Sequence, residues 1–91
     1  MGADTDLELL KKISDKDVLA MSEFYDIHSK YLYTMIYYMI LDEEESSILL
    51  EEVFLEIWNN TETFDETIGG PIAWITRITR NKANNRIRVI N

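Results

Sequence analysis

Residues 69–88 read GGPIAWITRITRNKANNRIR, and this stretch decides whether the chain contains any β-structure. Its centre, Trp74 to Thr79, is rich in isoleucine and threonine and by composition alone would suit a strand. It runs without a break into residues that keep a helical period, and Pro71 behind two glycines suits the first turn of a helix. One long helix over residues 71–89 is therefore expected, and no strand signal survives. The same segment carries a charge signature: Pro71 to Asn91 holds five of the nine basic residues and no acid.

Working back from it, Asn59 to Ile68 is polar apart from Phe64 and Ile68 and reads as a loop over residues 60–70. Asp42-Glu43-Glu44-Glu45 puts acid at the favourable end of a helix over 43–59, with Leu50, Val53, Phe54, Ile57 and Trp58 as its inner stripe. From Val18, the positions Met21, Phe24, His28, Leu32, Met35 and Met39 recur at three and four residues, giving a long helix over 15–41 that Ser14-Asp-Lys-Asp17 can cap. Thr5-Asp-Leu-Glu8 reads as a capping box opening a short helix over 5–13. The expected fold is all-α, a compact bundle of about four helices in a single domain over residues 1–91. A chain of 91 residues has room for one modest core and not two.

Composition narrows the function. A 46% apolar and 29% charged chain is that of an ordinary globular protein. There is no cysteine, so neither a disulfide framework nor a thiolate metal site is possible. The opening Met-Gly-Ala-Asp-Thr-Asp lacks the basic and apolar regions of a secretory signal, which makes the cytoplasm the expected compartment. The most apolar run, Tyr31 to Leu41, spans only ~16 Å as a helix, too short to cross a bilayer. The net charge of −8 is divided unevenly, because four lysines and all seventeen acids precede Thr67 while the remainder is wholly basic. An acidic body repels nucleic acid and a basic segment attracts it, so two different partners are expected.

Wrapped at 100° per residue, the last helix aligns Arg77, Asn81, Asn84 and Arg88, with Arg80 beside them and Ile72, Ile75 and Ile90 opposite. Arginine offers a fork to phosphates and base edges, and an amide can pair with a donor and an acceptor on one base. The same stripe would also serve as a solvated face with arginines near a helix C-terminus. Lys82 and Arg86 fall on the apolar side, which requires the distal half of the helix to project beyond the core. In the preceding helix, Ile48 and Leu55 share the outward side with Glu51, Glu52 and Asn59, which suits either a protein partner or scattered surface apolar residues.

Catalysis finds little support. His28 lies on an inner stripe and reads as a hydrogen-bonded core histidine. No nucleophile stands with a base, no glycine-rich phosphate loop is present, and Asp42 to Glu45 lacks the alternation and glycine of a calcium loop. No catalytic residue, metal ligand or cofactor is assigned, and the tyrosines at 31, 33, 37 and 38 read as packing.

The order LLEEVFLEIW, NNTETFDE, GGPIAWITRITRNKANNRIR resembles region 2 of bacterial sigma factors of the sigma-70 family, and most nearly the extracytoplasmic-function (ECF) group. The usual pattern there runs approximately AEDLVQEVF, a loop containing F, then AWLxxIAxNxxxDxxR, and the likeness extends from Leu7 to Arg88. Glu52, Val53, Phe54, Trp58, Phe64, Ala73, Trp74, Ile78, Asn81 and Arg88 agree with it. Ser46, Ser47 and Ile48 stand in place of A-E-D, Glu51 in place of Q, and Asn85 in place of the common D.

The resemblance implies the region 2 fold and a transcription initiation factor, not an enzyme. In the family the third helix docks on the clamp helices of the polymerase β′ subunit, while the loop and last helix recognise and melt the promoter −10 element, a base of the nontemplate strand being flipped into a pocket. Carried over, this gives Ile48, Glu51, Glu52 and Leu55 as candidate polymerase-binding residues, and Asn60, Thr61, Phe64, Arg77, Arg80, Asn81, Asn84 and Arg88 as candidate DNA-binding residues, with one base held near Phe64 and Asn81. An anti-sigma factor is a further implied partner, and the isolated domain is expected to be a monomer. Region 4, which reads the −35 element in the family, is not expected within these residues. The alternative is a sigma-like decoy that binds an anti-sigma factor or other regulator without reading DNA, favoured by Ile48 and Glu51 and opposed by Asn81 and the arginine stripe.

Overall fold

The computed structural model describes residues 2–90, with side chains described for 5–87. Its elements in order are α1 (Gly2–Ser14), α2 (Val18–Ile40), α3 (Glu43–Asn59), a single 3-10 turn (Thr61–Thr63) and α4 (Pro71–Ile90). No strand occurs among the described residues, so the Trp74 to Thr79 segment is helical. No helix among them is long and apolar enough to cross a membrane.

Each boundary has a local cause, and two differ from the sequence reading. Helical backbone runs back to Gly2, so Thr5 lies inside α1 and opens no capping box. Asp6, from that supposed box, is buried against α2 instead. At the other end, Lys16 N–H donates to Ile13 O at 2.8 Å and Asp17 N–H to Lys12 O at 3.0 Å, closing α1 with Lys16 in the left-handed region at φ 64°. The second helix therefore starts later than residue 15. Asp17 is its N-cap, accepting from Ala20 N–H at 3.1 Å. Leu41 ends α2 at φ 59°, donating its N–H to Tyr37 O at 2.7 Å. Asp42 caps α3 by accepting from Glu45 N–H at 2.9 Å. Neither Gly69 nor Gly70 has a positive φ, so the start of α4 owes more to Pro71, which is buried, than to glycine's freedom.

The centre of the bundle is α2, which packs on all three other helices. Its buried line is Ala20, Phe24, His28, Leu32 and Ile36. A spacing of four residues advances ~40° round the helix at each step, so α2 crosses its neighbours obliquely. Met21, Met35 and Met39, expected on the inner stripe, sit half-buried beside it. Fully buried Ile13, Leu49, Val53, Ile57 and Ile75 complete the core.

Two further expectations fail for the same kind of reason. Ile72 is 43% exposed, because Pro71, Trp74, Ile75 and Ile78 form the buried face of α4 and Ile72 lies at its edge. Trp58 is half-buried at the edge, with the Lys16 ammonium 4.8 Å from its ring centroid and donating to its carbonyl at 2.6 Å. His28 is the hydrogen-bonded core histidine that its place on the inner stripe implied. Its Nε2 lies 2.8 Å from Asp6 Oδ1, and each residue is about 5% exposed.

Candidate functional site

The loop between α3 and α4 is built by its own polar side chains. Asp65 Oδ1 accepts from the Thr67 hydroxyl at 2.6 Å and from Thr67 N–H at 2.9 Å. These bonds, the hydroxyl foremost, hold the Asp65 carboxyl below the usual carboxylate range. Thr63 donates to Asn60 O at 2.8 Å, and Phe64 N–H to Thr61 O at 3.0 Å, so the loop begins as a tight hydrogen-bonded turn. Phe64 then anchors it, its ring edge-on to Trp74 at 5.5 Å.

Between this loop and α4 lies a cleft of about 380 Å³. Thr63, Asp65 and Ile68 face it from the loop, and Arg77, Asn81 and Asn85 from α4. Trp74 and Ile78, both nearly buried, give it an apolar floor, and Glu56 and Lys82 close one end. The cleft thus offers an apolar surface for a flat group, amide and guanidinium donors, and carboxylate acceptors, the set that recognises an unstacked base beside a phosphate.

Of the candidate DNA-binding residues, the structure brings Arg77 and Asn81 together here. Arg80 and Asn84 are exposed on α4 outside the cleft, and the Arg88 side chain lies outside the described residues. The proximity expected for Phe64 and Asn81 is not found in one cavity. Phe64 and Thr61 line a different hollow of about 410 Å³, against Leu7, Leu10 and Lys11 of α1. Phe64 meets Trp74, which lines the cleft, edge-on at 5.5 Å without lining the cleft itself. Asn60 turns its amide back to Glu56 O at 3.3 Å and ends α3. Sequence reasoning missed Asp65, Ile68, Lys82 and Asn85. Asn85 was accessible in principle, since Arg77, Asn81 and Asn85 repeat every four residues.

The outward side of α3 carries Ile48 (41% exposed) and Leu55 (60%), with Glu51 exposed between them. Beside Leu55, Trp58 joins Val18, Met21 and Tyr25 of α2 around an apolar hollow of about 360 Å³. This hollow is an apolar surface shared by α3 and α2, and neither helix alone would have indicated it.

Glu52 differs from its neighbours because it already has a partner. Arg86 donates to Glu52 Oε2 at 2.8 Å and to Glu45 Oε2 at 2.5 Å, and Lys82 stands 3.2 Å from Glu56 Oε1. The hydrogen bond to Glu45, then that to Glu52, raises the Arg86 guanidinium above its ordinary value against the opposing effect of burial. The distal half of α4 therefore does not project beyond the core. Lys82 and Arg86 sit on its inner side because α3 presents Glu45, Glu52 and Glu56 there, two turns and one turn apart.

Residues 24–89 match the family described as Sigma-70 region 2. The chain is 30% identical over 80 residues to the ECF RNA polymerase sigma factor SigK of Mycobacterium bovis (strain BCG / Pasteur 1173P2), an alignment covering 88% of this chain and 43% of that protein. The same figures hold for SigK of Mycobacterium tuberculosis (strain H37Rv). SigK of Mycobacterium sp. (strain KMS) is 28% identical over 85 residues, covering 92% of this chain and 44% of that protein. The chain spans under half the length of these curated relatives. With the match covering most of the chain, the protein belongs to the sigma-70 family of ECF type, and residues 24–89 are its region 2.

Proposed function

We propose that this chain serves transcription initiation in the cytoplasm by binding, with no reaction of its own: α3 docks core RNA polymerase, and the loop with α4 holds and melts the nontemplate strand of a promoter −10 element. The observation that carries the reading is the cleft of about 380 Å³ in which Asp65 and Ile68 of the loop meet Arg77 and Asn81 of α4 over Trp74. A flipped base fits its apolar floor, Asn81 supplies paired donor and acceptor groups, and Arg77 supplies a phosphate partner. Polymerase docking uses Ile48, Glu51 and Leu55, extended by the apolar hollow at Trp58 and Tyr25, with the exposed edge of Glu52 contributing charge.

The test is fluorescence anisotropy with single-stranded −10 oligonucleotides on the polymerase-bound chain. Asn81→Ala is expected to relax discrimination at one base position by ~1–3 kcal/mol, and Arg77→Ala to weaken all sequences alike and flatten the salt dependence. If neither substitution alters affinity or base preference at low salt, the DNA assignment fails. The decoy reading then takes its place, favoured by one feature of the structure: two of the five basic residues of α4, Lys82 and Arg86, are already neutralised by α3.

A further inference from the structure

The cleft beside α4 and a shallower hollow on α3 share one wall. Glu56 and Lys82, 3.2 Å apart, line the cleft with Arg77, Asn81 and Asn85. On their other side the same two residues line a hollow of about 240 Å³ with Glu52 and Leu55. Lys82 thus lines the strand-binding side while its charge is held by the helix assigned to polymerase. The pair is partly open to water, with side chains 27% and 38% exposed, and an ion pair in that setting is weak enough to exchange partners. Lysine suits exchange, since its ammonium is a compact charge on a flexible four-carbon stem. Arg86 is different: two carboxylates hold it at once, and it lines neither the cleft nor the hollow.

We infer that Lys82 is a further phosphate-binding residue of the cleft, withheld by Glu56 in the unbound chain and released when a basic side chain of the polymerase enters the hollow beside Leu55 and takes Glu56. The inference rests on the proposed function and adds to it a coupling between the two partners. Exchange at one carboxylate exposes a cation to the strand and removes the local compensation that made the cleft mouth neutral. By linkage, DNA in the cleft strengthens polymerase docking by the same factor that docking strengthens DNA binding.

Glu56→Gln mimics the docked state by freeing Lys82. In the 91-residue chain without polymerase, it is expected to raise affinity for a single-stranded −10 oligonucleotide roughly fivefold at low salt, the size of one exposed charge contact, and to steepen the log K against log salt slope by ~0.7. Glu44→Gln, the same charge change at an exposed position on the same helix, controls for net charge and is expected to give a much smaller rise. Adding Lys82→Gln to Glu56→Gln is expected to abolish the gain. Circular dichroism on each variant separates loss of fold from loss of contact. Equal effects of Glu56→Gln and Glu44→Gln, or a gain that persists without Lys82, overturn the coupling. If the wild-type chain on core polymerase fails to retain the strand at all, the proposed function fails and this inference with it. If it retains the strand while Glu56→Gln changes nothing, only the inference falls.

Discussion

Ser46 is fully buried at the start of α3, and its hydroxyl has no hydrogen-bond partner. In a helix such a hydroxyl can donate back to the carbonyl four residues earlier, as Thr79 does to Ile75 O at 2.8 Å, but Ser46 does not. Replacing it with alanine removes one polar atom and leaves almost no void. A buried unsatisfied hydroxyl costs ~1–3 kcal/mol, and alanine adds a few tenths of a kcal/mol of helix propensity. Ser46→Ala is therefore expected to stabilise the chain by about 1.5 kcal/mol, at the lower end because one oxygen leaves a small gap. For a domain of this size that raises Tm by roughly 5–10 °C. Urea unfolding followed at 222 nm measures it directly, with the slope of the transition unchanged. No change, or a lower midpoint, would show that the hydroxyl is satisfied in solution and that the reasoning is wrong.

Leu41, at φ 59° and 69% exposed, contributes little to the core, so Leu41→Gly is expected to stabilise the fold by ~0.5–1 kcal/mol through relief of left-handed strain. Thermal melts of the two proteins give the sign. His28→Ala leaves Asp6 buried without its partner and is expected to cost ~3 kcal/mol, while a double-mutant cycle with Asp6→Ala should return a coupling above ~1 kcal/mol; additive losses would mean that the 2.8 Å contact carries no energy. Leu55→Asp, on a side chain 60% exposed, should weaken polymerase binding by ~1–3 kcal/mol with a melting temperature close to the wild type. An unchanged affinity in surface plasmon resonance would remove Leu55 from the docking face.

Much of the helix pattern could be read from the chain because its signals are local. Asp17 and Asp42 cap the helices they precede, and Phe24, His28 and Leu32, three positions of the expected inner stripe, are buried along one helix. What could not be read depended on residues far away in sequence. Arg86 meets Glu45 and Glu52 across 41 and 34 residues, so a single-helix wheel could only record a cation on the wrong side. Phe64 is an aromatic in a loop, and nothing near it in sequence states whether it turns to α1 or to α4. Its ring contact with Trp74, ten residues on, is a tertiary contact that no local pattern encodes. The candidate cleft was half legible for the same reason: Arg77 and Asn81 follow a helical period, whereas Asp65 and Ile68 reach it only through the fold of the loop.

The buried Asp6–His28 pair has a consequence for the uniqueness of the fold as distinct from its stability. The apolar side of α1 is built from Leu9, Leu10 and Ile13, residues similar enough that the helix could slide by one turn along α2 and still bury a leucine-rich surface. After such a slide, Leu10 or Gly2 would stand opposite the imidazole and Asp6 would be sealed among apolar groups or left over the loop hollow. Greasy contacts tolerate that error; a buried carboxylate that loses its imidazole partner does not. Position 6 is therefore expected to act as a registration key, and replacing the pair with leucines of matching volume would be expected to yield a chain that melts no lower but whose first helix samples more than one seating, visible as doubled amide resonances for Leu9 to Ile13.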